Sequence, residues 1–179
     1  MKRQRIAIDM DEVMADTLAK RLAIYRTEFG EELLRESLHG VDIYDAISEE
    51  RREAVRAQLF IPGFFREIPV MEGAADVIRE LLEHHEVFIA TAAMEYPHSF
   101  TEKYGWIKEH LPFFPDHNIV FCGDKSIIHA DFLIDDSPRH FERFAGQGIL
   151  FDAPHNAKED RYPRVRNWSE VRMRFLGEP

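Results

Sequence analysis

Four carboxylates, one hydroxyl and one ammonium stand just past short apolar runs in this chain. Asp9 and Asp11 follow residues 5–8, Thr91 closes the run 86–91, Lys125 follows 118–121, and Asp135-Asp136 follow 131–134. Four acids gathered at one rim would repel one another and hold protons more tightly unless a cation sat among them. A hard divalent ion with oxygen ligands, Mg²⁺ above all, meets that need and keeps positions open for phosphate oxygens and water. A carboxylate so placed can attack phosphorus and form an aspartyl phosphate, which divides one difficult displacement into two easier ones. Asp9 is the candidate nucleophile. Asp11, two residues on, suits proton donation to the departing alkoxide and proton removal from the attacking water. Thr91 and Lys125 supply fixed donors for the charge that spreads over the phosphoryl oxygens.

Each group taken singly has an ordinary structural use. An acid pair after a strand can cap a helix, Asp135-Asp136 before Ser137-Pro138 can do the same, and Lys125 can be a surface lysine. Chemistry is favoured because all four sets follow strand-like runs in sequence order, as the carboxyl ends of parallel strands require.

The elements that must position these groups alternate in period. Residues 5–8, 86–91, 118–121, 131–134 and 148–151 read as short buried strands. Between them, Ala74, Val77, Ile78, Leu81 and Leu82 form one helical stripe, and residues 98–111 follow Pro97 at a helix start. That alternation predicts an α/β fold, a Rossmann-like parallel sheet with helices on both faces. Residues 17–69 break the rhythm with helical patterns at 18–29 and 48–59 and no strand, Ser48 being a candidate N-cap. The division expected is a core of residues 1–16 and 70–179 with a small helical cap, 17–69, inserted after the first strand. Residues 168–175 read as a closing helix after a polar, proline-bearing stretch.

Composition narrows the function classes. The 179 residues suit one domain of ordinary size. With 23 basic against 33 acidic side chains the net charge is −10, which disfavours a nucleic-acid polymer or an anionic membrane as partner. A single cysteine, Cys122, allows no internal disulfide, and the longest apolar run, 87–94, is far shorter than a membrane helix. A reducing, cytoplasmic setting is therefore expected, and oligomeric state, a homodimer included, is left open.

In their order the chemical residues resemble the haloacid dehalogenase superfamily: Asp9-Met10-Asp11-Glu12-Val13, Thr91, Lys125 and Ile134-Asp135-Asp136. The segments IAIDMDEVMAD, PGFFREIPVMEGA, EKYGWIKEHL, FLIDD and ILFDAPHN are similar to blocks of its 5'(3')-deoxyribonucleotidase family, across nearly the whole chain. The resemblance implies Mg²⁺ held by the Asp9 carboxylate, the Asp11 backbone carbonyl and one member of Asp135-Asp136. It also implies a nucleoside monophosphate substrate, with Phe64 and Phe65 in the block where the family gathers aromatics near the base. Their alternative use is core packing. Ala92 and Lys125 complete the expected substrate-binding set. Two positions depart from the family: Glu12 where Gly is common, and Ala92-Ala93 where Ser-Pro is common. Both bear on substrate choice, so a sugar phosphate or other small ester is the second reading and a nucleotide-binding module without turnover the third.

Other signals have ordinary readings. His84-His85 is expected as a polar helix end, Cys122 as a small buried side chain, and Arg161, Arg164 and Arg166 as a solvated face or a substrate clamp. His155-Asn156 stands near the phosphate end or caps a loop, and Tyr25, Tyr44 and Tyr96 offer hydroxyls that the sequence does not order.

Overall fold

The computed structural model describes residues 3–177. Its centre is a six-stranded sheet: β1 (Arg5–Ile8), β2 (Glu86–Thr91), β3 (Ile119–Phe121), β4 (Phe132–Asp135), β5 (Gln147–Phe151) and β6 (Arg164–Val165). Every pairing is parallel, and the spatial order is β3-β2-β1-β4-β5-β6. The chain runs from β1 outward through β2 to β3, then crosses to β4 on the other side of β1. The direction of winding thus reverses beside β1, the place where open parallel sheets hold ligands at their carboxyl ends. The two-residue β6 escapes sequence reading because it lies in a polar, proline-bearing stretch and is held only as the edge partner of Leu150 and Phe151.

Alternation along the strands divides the core in two. Ile6, Ile8, Val87, Ile89, Ile134 and Ile149 point to one side and meet the helices α3 (Ala74–His84), α4 (Ser99–His110) and α5 (Trp168–Leu176). Ala7, Ala90, Leu133 and Leu150 point to the other, where short 3-10 turns bring Phe141 and Phe144 onto the sheet. The approach is close: a Cβ on Gly148 would lie 2.3 Å from the Phe141 ring, so this position has room only for glycine.

Residues 17–69 contain α1 (Thr17–Phe29), α2 (Glu49–Ala57) and 3-10 turns at Arg35–Leu38 and Gln58–Phe60. Asp16 caps α1 by accepting from the Ala19 amide at 2.9 Å, and Gly30 ends it in the left-handed conformation. Ser48 stands at the start of α2, but its hydroxyl makes no capping bond; its carbonyl accepts from the amides of Arg51 and Arg52 instead. Two small apolar clusters, Leu18–Leu38–Ile43 and Tyr25–Ile47–Val55, hold this segment together.

Two tryptophans fasten the connections. The Trp106 indole donates to the Ile68 carbonyl at 2.7 Å, and the Trp168 indole donates to the Val13 carbonyl at 2.8 Å, pinning the loop after β1. Of the pair His84-His85, His84 is the exposed polar end of α3, as expected, but His85 is not. His85 is buried, accepts from the Gln4 amide at Nδ1 (3.4 Å) and faces the Phe175 carbonyl with Nε2 (3.2 Å), so it links β1's approach to α5. No helix among the described residues is long and apolar enough to cross a membrane.

Candidate active site

The strand ends bring Asp9, Thr91, Lys125 and Asp135 together in the interior. All four are buried. The Asp9 amide donates to the Ile134 carbonyl at 2.9 Å, which extends the β1–β4 ladder by one residue and sets Asp9 beside the acids of β4. The Lys125 ammonium lies 2.7 Å from Asp9 Oδ1 and 2.5 Å from Asp135 Oδ2. It arrives on a 3-10 turn whose preceding residue, Asp124, accepts from the Ser126 amide.

The two acids at the end of β4, Asp135 and Asp136, have different surroundings. Asp135 is fully paired: Oδ2 also faces His140 Nδ1 at 2.8 Å, and Oδ1 accepts from the Ser137 amide at 2.9 Å. Burial opposes its ionisation, but Lys125 and His140 outweigh that and hold it below the ordinary carboxylate range. Among the described residues, the one basic side chain within 4 Å of the Asp136 carboxylate is His155, with Nε2 3.4 Å from Oδ2. Burial, then the charges of Asp135, Asp9 and Glu12, push it well above the ordinary range. Asp9 is pushed up to about 6, first by burial and then by Asp135 and Asp11, with Lys125 working against them. Carboxylate oxygens of Asp9, Asp135 and Asp136 lie within 4.8 Å of one another.

This donor set fits a hard cation. Asp9 is buried and Asp136 half-buried, burial and neighbouring carboxylates raise both against the pull of Lys125, and oxygen is the ligand a divalent ion of the Mg²⁺ kind takes. Asn156 fixes the loop that carries Asp136, donating to its carbonyl at 2.7 Å and to that of Phe151 at 2.8 Å.

Asp11 points elsewhere. Its Oδ2 accepts from the Lys103 ammonium at 2.5 Å and its Oδ1 from the Thr17 hydroxyl at 3.1 Å. Lys103 also donates to Thr91 Oγ1 at 3.0 Å and to the Ala92 carbonyl at 2.6 Å. The Thr91 hydroxyl accepts from Lys103 and itself donates, at a long 3.5 Å, to the Ala92 carbonyl.

Glu12 adopts φ 56°, the left-handed region where glycine costs least. Its Oε1 accepts from the Leu18 amide, while Oε2 is buried without a hydrogen-bond partner. Burial, then Asp16, pushes this carboxyl up to about 7.

A cavity of about 240 Å³ opens from Asp11 and Glu12 toward residues 17–69, between Leu38, Ile43, Leu59, Phe65 and Tyr96. Arg21 enters it with its guanidinium on the Tyr44 hydroxyl and ring. Phe65 lines this cavity. Phe64 is not among its lining residues, and both rings are buried in the main core, 3% and 4% exposed, with Phe64 under Lys20. Both members of the expected aromatic pair therefore pack in the core, and of the two Phe65 also reaches the cavity. Ala92 presents its carbonyl to Lys103.

The 5' nucleotidase, deoxy (pyrimidine), cytosolic type C protein family matches residues 3–176. The chain belongs to this family. Membership makes it a phosphoric monoester hydrolase. A Bacillus subtilis 5'(3')-deoxyribonucleotidase of the same kind is 39% identical over 171 residues, covering 96% of this chain and 98% of the relative. A Staphylococcus aureus relative that carries the same name provisionally is 45% identical over 178 residues, covering 98% and 97%. In fold, the nucleotidase chain is similar to a Bacillus subtilis protein described provisionally as a HAD hydrolase and solved bound to magnesium. That match has a TM-score of 0.58 at 14% identity, over 98% of this chain and 100% of the other.

Sequence reasoning missed several residues of this nucleotidase site. Lys103 carried a signal, since it shares the buried side of α4 with Trp106 and Ile107, where a charge needs a reason. Arg21 carried none, and Tyr96 could not be told from Tyr25 and Tyr44, because their approach to the cavity depends on how residues 17–69 settle over the strand ends. The cluster Arg161, Arg164 and Arg166 is no substrate clamp: Arg161 pairs with Glu159, Arg164 with Asp152, and Arg166 with Glu170. Cys122 is buried, as expected of a small core side chain, and burial raises its thiol.

Proposed function

We propose that this chain hydrolyses nucleoside monophosphates through an aspartyl phosphate on Asp9. The observation that carries the reading is a buried nucleophile and a cation-seeking acid set at the strand ends, beside an aromatic-walled cavity that begins at Asp11. Phosphoryl transfer asks for the first, and a flat base face suits the second. The names of the relatives agree with this substrate class.

In this reading Asp9 attacks phosphorus, Lys125 and the Thr91 hydroxyl hold the phosphoryl oxygens, and Asp11 gives a proton to the leaving alkoxide and later takes one from water. Asp9, the backbone carbonyl of Asp11 and Asp136 would hold Mg²⁺. The ion would neutralise phosphate charge and lower the repulsion between substrate and the two acids. Asp136 rather than Asp135 is assigned to the metal because both oxygens of Asp135 are taken by Lys125, His140 and the Ser137 amide. Residues 17–69 act as a cap that selects the nucleoside, and residues 1–16 with 70–179 form the catalytic core.

Asp9→Asn tests the nucleophile. Turnover should fall by at least about 10³-fold with the fold intact by circular dichroism. Comparison of kcat/KM across nucleoside monophosphates and sugar phosphates, with and without chelator, tests the substrate class and the metal. A preference for sugar phosphates would move the activity to another small ester, and activity that survives exhaustive chelation would exclude the ion.

A further inference from the structure

Two neighbouring residues of α4 face in different directions and touch the two halves of the site. Glu102 accepts from the Gly63 amide at 2.6 Å and from the Phe65 amide at 3.0 Å, so one carboxylate clasps the turn that delivers the aromatic wall. Lys103, next in sequence, spends all three ammonium protons on Asp11, Thr91 and the Ala92 carbonyl. The ammonium also lies 5.1 Å from the centre of the Phe65 ring. A buried lysine with every donor used has one geometry available, and it passes that geometry to the carboxylate it holds. With Thr17 on the other oxygen, Asp11 is fixed at both ends of its carboxylate.

We propose that Lys103 is the positioning residue for Asp11 and that the Glu102-Lys103 pair ties the proton-transferring carboxylate to the Phe65 wall of the cavity. This rests on the reading of Asp11 as the acid and base of phosphoryl transfer. Lys103 contacts neither phosphorus nor the nucleophile; it acts by keeping Asp11 aimed. A displacement of about 1 Å at such a group costs on the order of 10²-fold in rate. Steps that require proton transfer should therefore depend on Lys103, and a step that does not should be indifferent to it.

Leaving groups separate the two cases. A nucleoside leaves as an alkoxide and needs the proton, whereas p-nitrophenolate leaves without one. In single-turnover measurements with Mg²⁺, Lys103→Met should slow phosphoryl transfer from a deoxynucleoside monophosphate about 10²-fold. With p-nitrophenyl phosphate the same variant should release a first equivalent of p-nitrophenolate at the wild-type rate, then turn over slowly, because water attack still needs Asp11. Glu102→Gln, which keeps the shape and weakens one of two accepted bonds, should give the same pattern at about fivefold; it carries the test if Lys103→Met does not fold. Equal slowing of both first steps, or none of either, would overturn the positioning role. A wild-type protein that cleaves neither ester would instead overturn the phosphomonoesterase reading beneath it.

Discussion

Two buried lysines divide the work of this site, and their surroundings differ. Lys125, at the floor, sits between two acids that are themselves buried: the side chains of Asp9 and Asp135 are 10% and 0% exposed. Lys103, on α4, holds one acid, Asp11, whose side chain is 31% exposed and lines the cavity. The floor is thus an interior ionic cluster in which each member needs the others, while the α4 junction is a hinge point between the interior and the space for substrate. A floor in which one ammonium ties two buried acids together can stay rigid whatever ligand is present. Under the proposed mechanism Asp11 must meet a leaving group and so has to remain reachable, which a lysine holding it from behind allows. Glu12 completes the series as a carboxyl with no lysine at all.

Substitution of each lysine should expose that difference. Lys125→Met leaves Asp9 and Asp135 buried without their cation, and removal of one partner from such a cluster costs about 3–5 kcal/mol. Denaturant unfolding should show that loss together with loss of turnover; unchanged stability would mean that the floor is not an obligate cluster. Lys103→Met leaves a partly solvated carboxylate, so its stability cost should be smaller, about 1–3 kcal/mol, with the larger effect in the proton-dependent steps. Equal costs for the two variants would erase the distinction.

Glu12 sharpens the comparison through pH. Its carboxyl is raised from 4.5 to about 7 by burial, so the folded state binds its proton more tightly than the unfolded state. Stability should therefore fall as pH rises from about 4.5 to 7 in metal-free protein. Glu12→Gln should flatten that slope in thermal melts and leave the protein more stable than wild type above pH 7. A steeper slope in the variant would reverse the assignment. The smallest effect on activity should come from His85→Ala, at the amino-terminal ends of the strands, which removes two buried hydrogen bonds for about 1–3 kcal/mol and leaves kcat/KM unchanged.

Much of this was legible in the order of residues. The acids, Thr91 and Lys125 stand at the ends of apolar runs, and a parallel sheet has only one rim to which such ends can go. The helices at 74–84, 99–110 and 168–176 follow from apolar stripes and starting signals that act within a few residues. The same local rules failed where a partner distant in sequence decides. The edge strand β6 exists because Leu150 and Phe151 lend it a ladder, and His85 is buried because α5 folds back over it from 90 residues away. Phe64 and Phe65 are identical in chemistry and adjacent in sequence, so nothing local says which of the two buried rings also reaches the cavity.

By itself, then, the sequence determined the groups available: two carboxylates, a hydroxyl, an ammonium and an acidic pair, at the ends of four strands. That follows because strand ends and helix caps are set by short-range sterics and hydrogen bonding. Tertiary structure alone decided which groups share an atom's neighbourhood. Asp135 was given to Lys125, Asp136 was set beside His155, and Asp11 was turned toward a lysine 92 residues away. Electrostatic pairing depends on separations of a few ångströms and on the water removed around them. Those quantities come into being only when the layers of the fold close.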